Sequence, residues 1–150
     1  MLPKLIEFVA ALCALMLPTQ FVVADVFREP SCTWCAGNRG IEYLTPQQAP
    51  VHSAASGVVT YVGSVAGVAY VVVRDASNML VTHGRLHSTA VKVGDRVSVG
   101  FRIGSSSGAL YIGVRRLGVY LDPTTCAPTT KNPNGLRPRA VLVPIHSHGP

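Results

Sequence analysis

The stretch GVVTYVGSVAGVAYVVVRDASNMLVTH, residues 57–83, gives the clearest indication of secondary structure in this chain. It contains three short runs of β-branched and apolar residues, at 57–63, 68–74 and 79–83, with Gly, Ser, Asp or Asn at the breaks. Such runs between turn residues are typical of consecutive antiparallel strands. The segment DASN at 75–78 predicts a hairpin turn between the last two runs, because Asp and Asn favour tight turns.

The same alternation of short apolar runs and turns continues as far as residue 121. It predicts a strand, turn and strand at 91–97 around Gly94-Asp95, a strand at 101–104, a Ser/Gly loop at 105–108, a strand at 110–115, a turn at 117–118 and a strand at 120–121. No window outside residues 1–24 shows sustained helical periodicity. The sequence therefore predicts an all-β domain, an antiparallel sheet folded on itself.

Residues 1–24 predict a signal peptide. Lys4 precedes an apolar run from Phe8 to Leu17, and Ala24 is the small residue expected at a cleavage site. The run is about half as long as the ~20 apolar residues that a membrane span needs. An uncleaved N-terminal anchor is the alternative, and it is the only membrane contact that the sequence indicates. We therefore expect a protein that is secreted or held in the cell envelope.

The rest of the chain predicts one domain and a tail. With 150 residues, of which 48% are apolar, the chain can bury one core, which we place at residues 25–123. Prolines then recur every five residues from Pro123 to Pro138, a spacing that is incompatible with a helix or a central strand. Residues 124–150 therefore predict a flexible Pro/Thr-rich tail, in which residues 141–143 form a short apolar patch.

Charge and cysteine content limit the classes of partner. The formal net charge is +6, but the basic residues are scattered and form no block of the kind that nucleic-acid binding requires. In an exported chain, Cys32 and Cys35 predict a local disulfide rather than a redox motif. A zinc site built on them would need a second Cys or His pair, which the domain lacks. Cys126 is left as an odd thiol or an alternative disulfide partner.

Three short stretches carry a resemblance to a known family. They are Gly-Asn-Arg-Gly-Ile-Glu-Tyr at 37–43, Val-Thr-His-Gly-Arg-Leu at 81–86 and Ala-Leu-Tyr-Ile-Gly at 109–113. In order and spacing they resemble the three active-site motifs of the lysostaphin-type (LytM-like) zinc endopeptidases of bacterial cell walls. Those motifs are His-x-x-x-Asp, Tyr-x-His-Leu, and His-x-His followed by an aromatic residue and Gly or Glu. With similar stretches at 50–59, 91–104 and 113–123, the resemblance covers residues 28–123 and implies the LytM-like sheet.

The resemblance also implies which positions once carried the chemistry. Family members bind zinc through the His and Asp of the first motif and the second His of the third, and these positions hold Asn38, Glu42 and Tyr111 here. The two histidines that assist catalysis correspond to Arg85 and Ala109. The Tyr of the second motif corresponds to His83.

These replacements predict a pseudoenzyme. A catalytic zinc needs three good ligands and an open position for water, whereas an Asn amide and a phenol with a reference pKa of about 10 are poor ligands. Arg85 cannot accept a proton, because a guanidinium stays protonated in proteins. Without the metal, no water is activated near neutral pH. We therefore expect no catalytic residue, no metal and no cofactor, with zinc only if unusual ligands are used.

Two expectations concern the contacts at these positions. Glu42 and Arg85 are predicted to pair across the old site, with Tyr111 and Asn38 completing a hydrogen-bonded cluster; unrelated drift is the alternative. The candidates for lining a binding groove are Trp34, Tyr43, His83, Arg85 and Tyr111. His83 and Arg85 are expected on one strand face. Trp34 could instead plug the core, and His83 could be a half-buried polar residue.

The functional hypothesis follows from the resemblance. Degenerate relatives of this family regulate wall amidases, so we expect an exported bacterial domain that binds peptidoglycan or regulates a cell-wall hydrolase. The alternative is an active cell-wall metalloendopeptidase with unusual zinc ligands. A third possibility is a purely structural envelope protein.

Overall fold

A computed structural model describes residues 14–126, and the described chain forms one eight-stranded antiparallel sheet. The predicted all-β, LytM-like architecture is confirmed. In chain order the elements are β1 (Val22–Asp25), β2 (Gly40–His52), β3 (Gly57–Val65), β4 (Val68–Arg74), β5 (Leu80–Thr89), β6 (Arg96–Val97), β7 (Arg102–Arg116), β8 (Val119–Leu121) and a 3-10 helix (Pro123–Cys126).

The strands lie in the order β1-β2-β7-β5-β4-β3-β6, and β8 also pairs with β7. The two longest strands, β2 and β7, therefore lie side by side. Strand β7 contacts β2, β5 and β8, so it is the central element of the sheet. Among residues 14–126, no helix is long and apolar enough to cross a membrane.

The hairpins predicted from residues 57–83 are present. Strands β3, β4 and β5 follow one another in the sheet, as their sequence order suggests. Between β4 and β5, the Asp75 carboxylate accepts hydrogen bonds from the backbone N–H groups of Ser77 (2.8 Å) and Met79 (2.9 Å). Asn78 takes a left-handed conformation with φ of 63°, which Asn tolerates better than most residues. The turn chemistry read from the sequence therefore closes this hairpin.

Strand β2 was not predicted, and the loop expected at residues 105–108 is part of β7. Pro46 and Pro50 obscure the strand pattern of β2, because proline cannot donate to a sheet ladder. The register of β2 on β7 shifts on both sides of Gln47, so these prolines lie beside irregularities in the ladder. In the 91–97 segment the turn at Gly94 forms, but only β6 is a strand.

The core lies on one face of the sheet and is built by alternate residues of each strand. Strand β7 shows this clearly, since Leu110, Ile112 and Val114 are buried while Tyr111 between them is partly exposed. Alternation follows from the twofold periodicity of a strand. The side chains that fill the core are Ile41, Tyr43, Val51, Val59, Val71, Val73, Val81, Ile103, Leu110, Ile112 and Val114.

The N-terminal segment that the sequence assigns to a leader joins this core from residue 14 onwards. Leu15 is 1% exposed, and its backbone N–H donates to the carbonyl oxygen of Cys126 (2.8 Å). The expected cleavage point after Ala24 lies inside β1, which pairs with β2. Removal of the leader stays a prediction, but residue 24 is not a structural boundary. Residues 1–13 lie outside the described residues.

The expected start of the tail at residue 124 also falls inside an element. Residues 124–126 belong to the 3-10 helix, and Cys126 is buried. Residues 127–150, with the apolar patch at 141–143, lie outside the described residues. The predicted Cys32–Cys35 disulfide is confirmed, with an S–S distance of 2.00 Å. Cys126 is disulfide-bonded as well, so the interpretation of this residue as an odd thiol is wrong.

The burial of Leu15 gives a test of whether residues 14–24 belong to the folded domain. Leu15→Ala should lower the free energy of unfolding of the full chain by about 3 kcal/mol, because it leaves a cavity in a packed core. Met16→Ala is the matched control, since Met16 is 50% exposed and its truncation should cost about 0.5 kcal/mol or less. Urea denaturation measures both. Equal effects of the two substitutions would contradict the packing of this segment.

Candidate functional site

Three neighbouring strands bring the motif positions together on the face of the sheet opposite the core. Glu42 of β2 lies directly across from Tyr111 of β7, and Tyr111 lies directly across from Gly84 of β5. Positions from all three sequence motifs thus meet at one place. We call this surface, around Glu42, Arg85 and Tyr111, the outer face.

Arg85 reaches the outer face because of an irregularity in β5. The register of β5 on β7 shifts between Gly84 and Leu86, and Arg85 has a left-handed conformation with φ of 60°. Such a conformation is uncommon for a residue with a side chain and marks a local departure from strand geometry. Arg85 is therefore exposed, while His83 and Leu86 are buried. The expectation that His83 and Arg85 share a face is wrong, because it assumed unbroken alternation.

The predicted ion pair is present. The Arg85 Nη2 donates to the Glu42 Oε1 at 3.0 Å, with the two side chains 44% and 28% exposed, respectively. The larger cluster expected around it does not form. Asn38 is used locally, since its Nδ2 donates to the Val26 carbonyl oxygen (3.0 Å) and its Oδ1 accepts from the Gly40 N–H (3.4 Å). Asn38 thus holds the chain ahead of β2 rather than the ion pair.

Tyr111 lies over a surface of glycines. A Cβ atom at Gly40 would come within 2.6 Å of the Tyr111 ring, and one at Gly113 within 2.5 Å of its Oη. Burial, reinforced by Tyr120, Tyr70 and Glu42 and opposed by Arg39, raises the pKa of Tyr111 to about 12. The phenol is therefore neutral at physiological pH. Ala109 is two residues earlier on the same face and offers only a methyl group.

The residues at the three zinc-ligand positions do not fit zinc. The Asn38 amide is engaged with the backbone at both ends, the Glu42 carboxylate faces a guanidinium, and Tyr111 offers a phenol in place of an imidazole. Zinc ligands must be free and deprotonated to bind well. Within residues 14–126, no three His, Cys, Asp or Glu side chains come together as a possible metal site. That the site holds no metal and no catalytic residue stays a prediction.

The remaining groove candidates divide between core and surface. Tyr43 is buried in the core, where burial raises the pKa of its phenol, so its assignment to the groove is wrong. His83 is also fully buried and is not a groove residue. Its Nε2 accepts a hydrogen bond from the Ala54 N–H at 2.9 Å. Trp34 is 93% exposed on the loop closed by the disulfide, so the alternative of a core plug is wrong.

The family follows from comparison with known proteins. Residues 36–123 match Peptidase family M23 over more than half of the chain. The chain belongs to peptidase family M23. The resemblance to the lysostaphin-type peptidases is thereby confirmed. A comparison with the curated proteins gave no match for this M23 domain.

Solved structures share the fold of the M23 domain. A mutant of the catalytic domain of the prophage-encoded M23 protein EnpA from Enterococcus faecalis is 24% identical, with a TM-score of 0.62, and the match covers 74% of this chain and 95% of that chain. Csd3 of Helicobacter pylori is 21% identical, with a TM-score of 0.69 and coverages of 78% and 34%. The SpoIIQ–SpoIIIAH pore-forming complex matches with 17% identity, a TM-score of 0.67 and coverages of 77% and 92%. At these identities the likeness establishes the fold alone, and this chain spans about a third of Csd3.

Sequence reasoning missed a second group of residues on the outer face of the M23 domain. The guanidinium carbon of Arg39 lies 5.7 Å from the centre of the Tyr120 ring, and that of Arg115 lies 5.9 Å from it. Arg115 lies two residues after Gly113 and four after Tyr111 on β7, so the three residues share one face of the sheet. That pattern could have placed Arg115 on the outer face, but Arg39 and Tyr120 are far apart in sequence.

The Glu42–Arg85 contact predicts a small coupling energy. A double-mutant cycle with Glu42→Gln and Arg85→Gln should give about 0.5 kcal/mol, because partly exposed ion pairs are screened by water and salt. The cycle is measured by urea denaturation at low and high salt, and the coupling should fall at high salt. The control cycle pairs Glu42→Gln with Arg96→Gln, since Arg96 lies in β6 at the far end of the sheet. A coupling as large in the control as in the test would contradict a specific pair.

His83 predicts a loss of stability in acid. Burial lowers the pKa of His83 from 6.5 to about 4. Below pH 6.5 the unfolded chain takes up a proton that the folded chain does not, so stability is full above pH 6.5 and falls towards pH 4. The loss should be about 3 kcal/mol relative to His83→Gln, a variant that keeps an acceptor for the Ala54 N–H. Denaturation midpoints at several pH values measure it, and parallel pH profiles for the two proteins would refute it.

Proposed function

We propose that this M23 domain is an exported, non-catalytic module of the bacterial cell envelope that binds the peptides of peptidoglycan through its outer face. The observation that carries the proposal is the ion pair between Glu42 and Arg85. Glu42 stands where the family resemblance puts a zinc ligand, and its carboxylate is satisfied by a guanidinium.

The charge of Arg85 opposes a divalent cation at this position. Two unit charges 4 Å apart interact by about 4 kcal/mol at an effective dielectric constant of 20, so a dication beside the guanidinium would meet a repulsion of about 8 kcal/mol. The weak ligands Asn38 and Tyr111 cannot offset this repulsion. A lone carboxylate is then better matched by the arginine than by a metal.

The outer face also lacks the two imidazoles that assist catalysis in the family. Arg85 cannot take up a proton, Ala109 has no functional group, and Tyr111 is protonated. The imidazole of His83 lies in the core and already accepts a hydrogen bond. Hydrolysis by a family mechanism would need both an activated water and a base. Because these positions supply neither, a binding role is favoured over catalysis.

Two observations support binding as the retained role. Arg85 and the ring of Tyr111 are partly exposed on a rigid sheet, and Arg and Tyr are common at recognition surfaces. In addition, a chain of the SpoIIQ–SpoIIIAH pore-forming complex has this fold. Assembly with a partner protein is therefore compatible with this fold. Binding to a cell-wall hydrolase instead of to the wall itself is one of the outcomes that the retention experiment below distinguishes.

Zinc content tests the non-catalytic part of the proposal. The full chain, purified without chelator, should contain less than a tenth of an equivalent of zinc. The triple variant Asn38→His/Arg85→His/Tyr111→His, which keeps Glu42, should gain zinc, because imidazole and carboxylate are good ligands. Stoichiometric zinc in the wild-type chain, lost on Glu42→Ala, would overturn the proposal in favour of an active metalloendopeptidase. Cutting of wall crosslinks that a chelator abolishes would do the same.

Retention on purified, insoluble peptidoglycan tests the binding part. The full chain should sediment with the wall material, and Arg85→Ala/Tyr111→Ala should reduce the bound fraction at least fivefold. The matched control is Arg96→Ala/Phe101→Ala, which removes a cation and an exposed aromatic ring away from the outer face. No retention of the wild-type chain above an unrelated β-domain would overturn wall binding and favour a protein partner or a structural role.

A further inference from the structure

Next to the ion pair, the outer face carries two arginines that share one tyrosine ring. Arg39 and Arg115 both lie within about 6 Å of the centre of Tyr120, the range of a cation–π contact. Arg39 is held further by a hydrogen bond from its Nη2 to the carbonyl oxygen of Thr33, at 2.7 Å. The two guanidiniums are therefore positioned by a ring and a backbone group rather than by carboxylates.

Neither arginine has an acidic partner in the part of the chain that the structure describes. The ion pairs among residues 14–126 join Arg28 to Asp25, Arg85 to Glu42 and Lys92 to Asp95. Two adjacent cations without a counter-charge repel each other and attract anions. A guanidinium presents its N–H groups as a planar fork, which matches the two oxygens of a carboxylate.

Each arginine also lines a cavity. Arg115 lines a cavity of about 320 Å³ together with Tyr61, Thr82 and Tyr120. Arg39 lines a smaller one, of about 180 Å³, with Thr33, Glu29 and Tyr120. The Tyr120 ring thus borders both cavities. The larger has the size of a small-ligand site, and its walls combine an aromatic surface with a few polar groups, as such sites usually do.

The two cavities are close to the Glu42–Arg85 pair. The larger cavity borders Tyr111, because Gly113 lines that cavity and a Cβ atom at Gly113 would lie 2.5 Å from the Tyr111 Oη. Tyr111 lies directly across from Glu42. The smaller cavity is lined by Arg39, which precedes the Gly40 that lies against the same ring. The exposed Trp34 is next to Thr33, which lines the smaller cavity. A chain-like ligand could therefore contact the ion pair, the Tyr120 ring and both arginines without leaving the outer face.

We propose that Arg39, Tyr120 and Arg115 form a site for carboxylates, and that its ligand is a wall peptide stem with free carboxylate groups. This inference rests on the proposed function, because it names the chemical group by which the outer face recognises peptidoglycan. The fork of Arg115 binds one carboxylate, Arg39 makes a second and weaker contact, and the ring of Tyr120 keeps the two forks apart. Glu29 at the edge of the smaller cavity disfavours a second anion there, so Arg115 is the stronger of the two contacts.

Titration calorimetry of the full chain with a soluble muropeptide tests the site. The peptide with free carboxylates should bind at least tenfold more tightly than the same peptide with its carboxylates amidated. Arg39→Gln/Arg115→Gln should remove this preference, since Gln keeps donors but has no charge. Arg39→Lys/Arg115→Lys should retain only part of it, because an ammonium lacks the planar fork. The control is Arg96→Gln/Arg102→Gln, which loses the same charge away from Tyr120 and should bind within twofold of the wild type.

The outcomes separate this inference from the proposed function. Equal retention of the wild-type chain and of Arg39→Gln/Arg115→Gln on peptidoglycan would overturn the carboxylate site and leave wall binding in place. Wild-type chain that is not retained, but binds the free-carboxylate muropeptide through these arginines, would overturn wall binding and leave the site. Displacement of the muropeptide by inorganic phosphate at lower concentration than by acetate would assign the site to phosphate-bearing polymers and overturn the peptide ligand.

Discussion

The antiparallel pairing of β2 with β7 is the constraint on which the rest of the structure depends. Its register sets Ile41 opposite Ile112 and Glu42 opposite Tyr111, so that one pair enters the core and the next faces outward. Because side chains alternate along a strand, a slip of one residue would exchange the two faces. Core packing therefore fixes the geometry of the outer face. The positions of the functional groups are a consequence of how the apolar residues pack.

This division of labour explains how the chemistry of the face can change while the fold persists. The stability of the sheet comes from the apolar side chains on the other face, and the partly exposed contact between Glu42 and Arg85 adds little to it. Substitutions on the outer face alter charge and donor type without altering what holds the strands together. Some residues near the outer face do stabilise the fold. Asn38 donates a hydrogen bond to the backbone, and the glycines under Tyr111 allow its ring to lie against the sheet.

The parts of this structure that depend on neighbouring residues could be predicted from the sequence. The parts that depend on contacts between distant residues could not. The hairpins of β3 to β5 follow from alternation and turn residues that are neighbours in sequence. Strand β2 was hidden because Pro46 and Pro50 fit a strand only where its ladder is irregular. At the site, motif spacing found Arg85, but a single left-handed residue reversed the expected faces around it. The contact of Arg39 with Tyr120 joins residues from β8 and from just before β2, and only the order of strands in the sheet reveals it.

The hydrogen bond from Leu15 to Cys126 has a topological consequence. It places Leu15, which precedes β1, beside Cys126, which ends the 3-10 helix, with 2.8 Å between the bonded nitrogen and oxygen. A domain whose ends lie together can be inserted into a longer polypeptide, because both connecting segments meet it at one point. The same adjacency means that a short linker could join residues 15 and 126 of the domain into a ring and that new ends could be opened at the β3–β4 turn. The order of the strands in space would survive such a permutation, although their order along the chain would not.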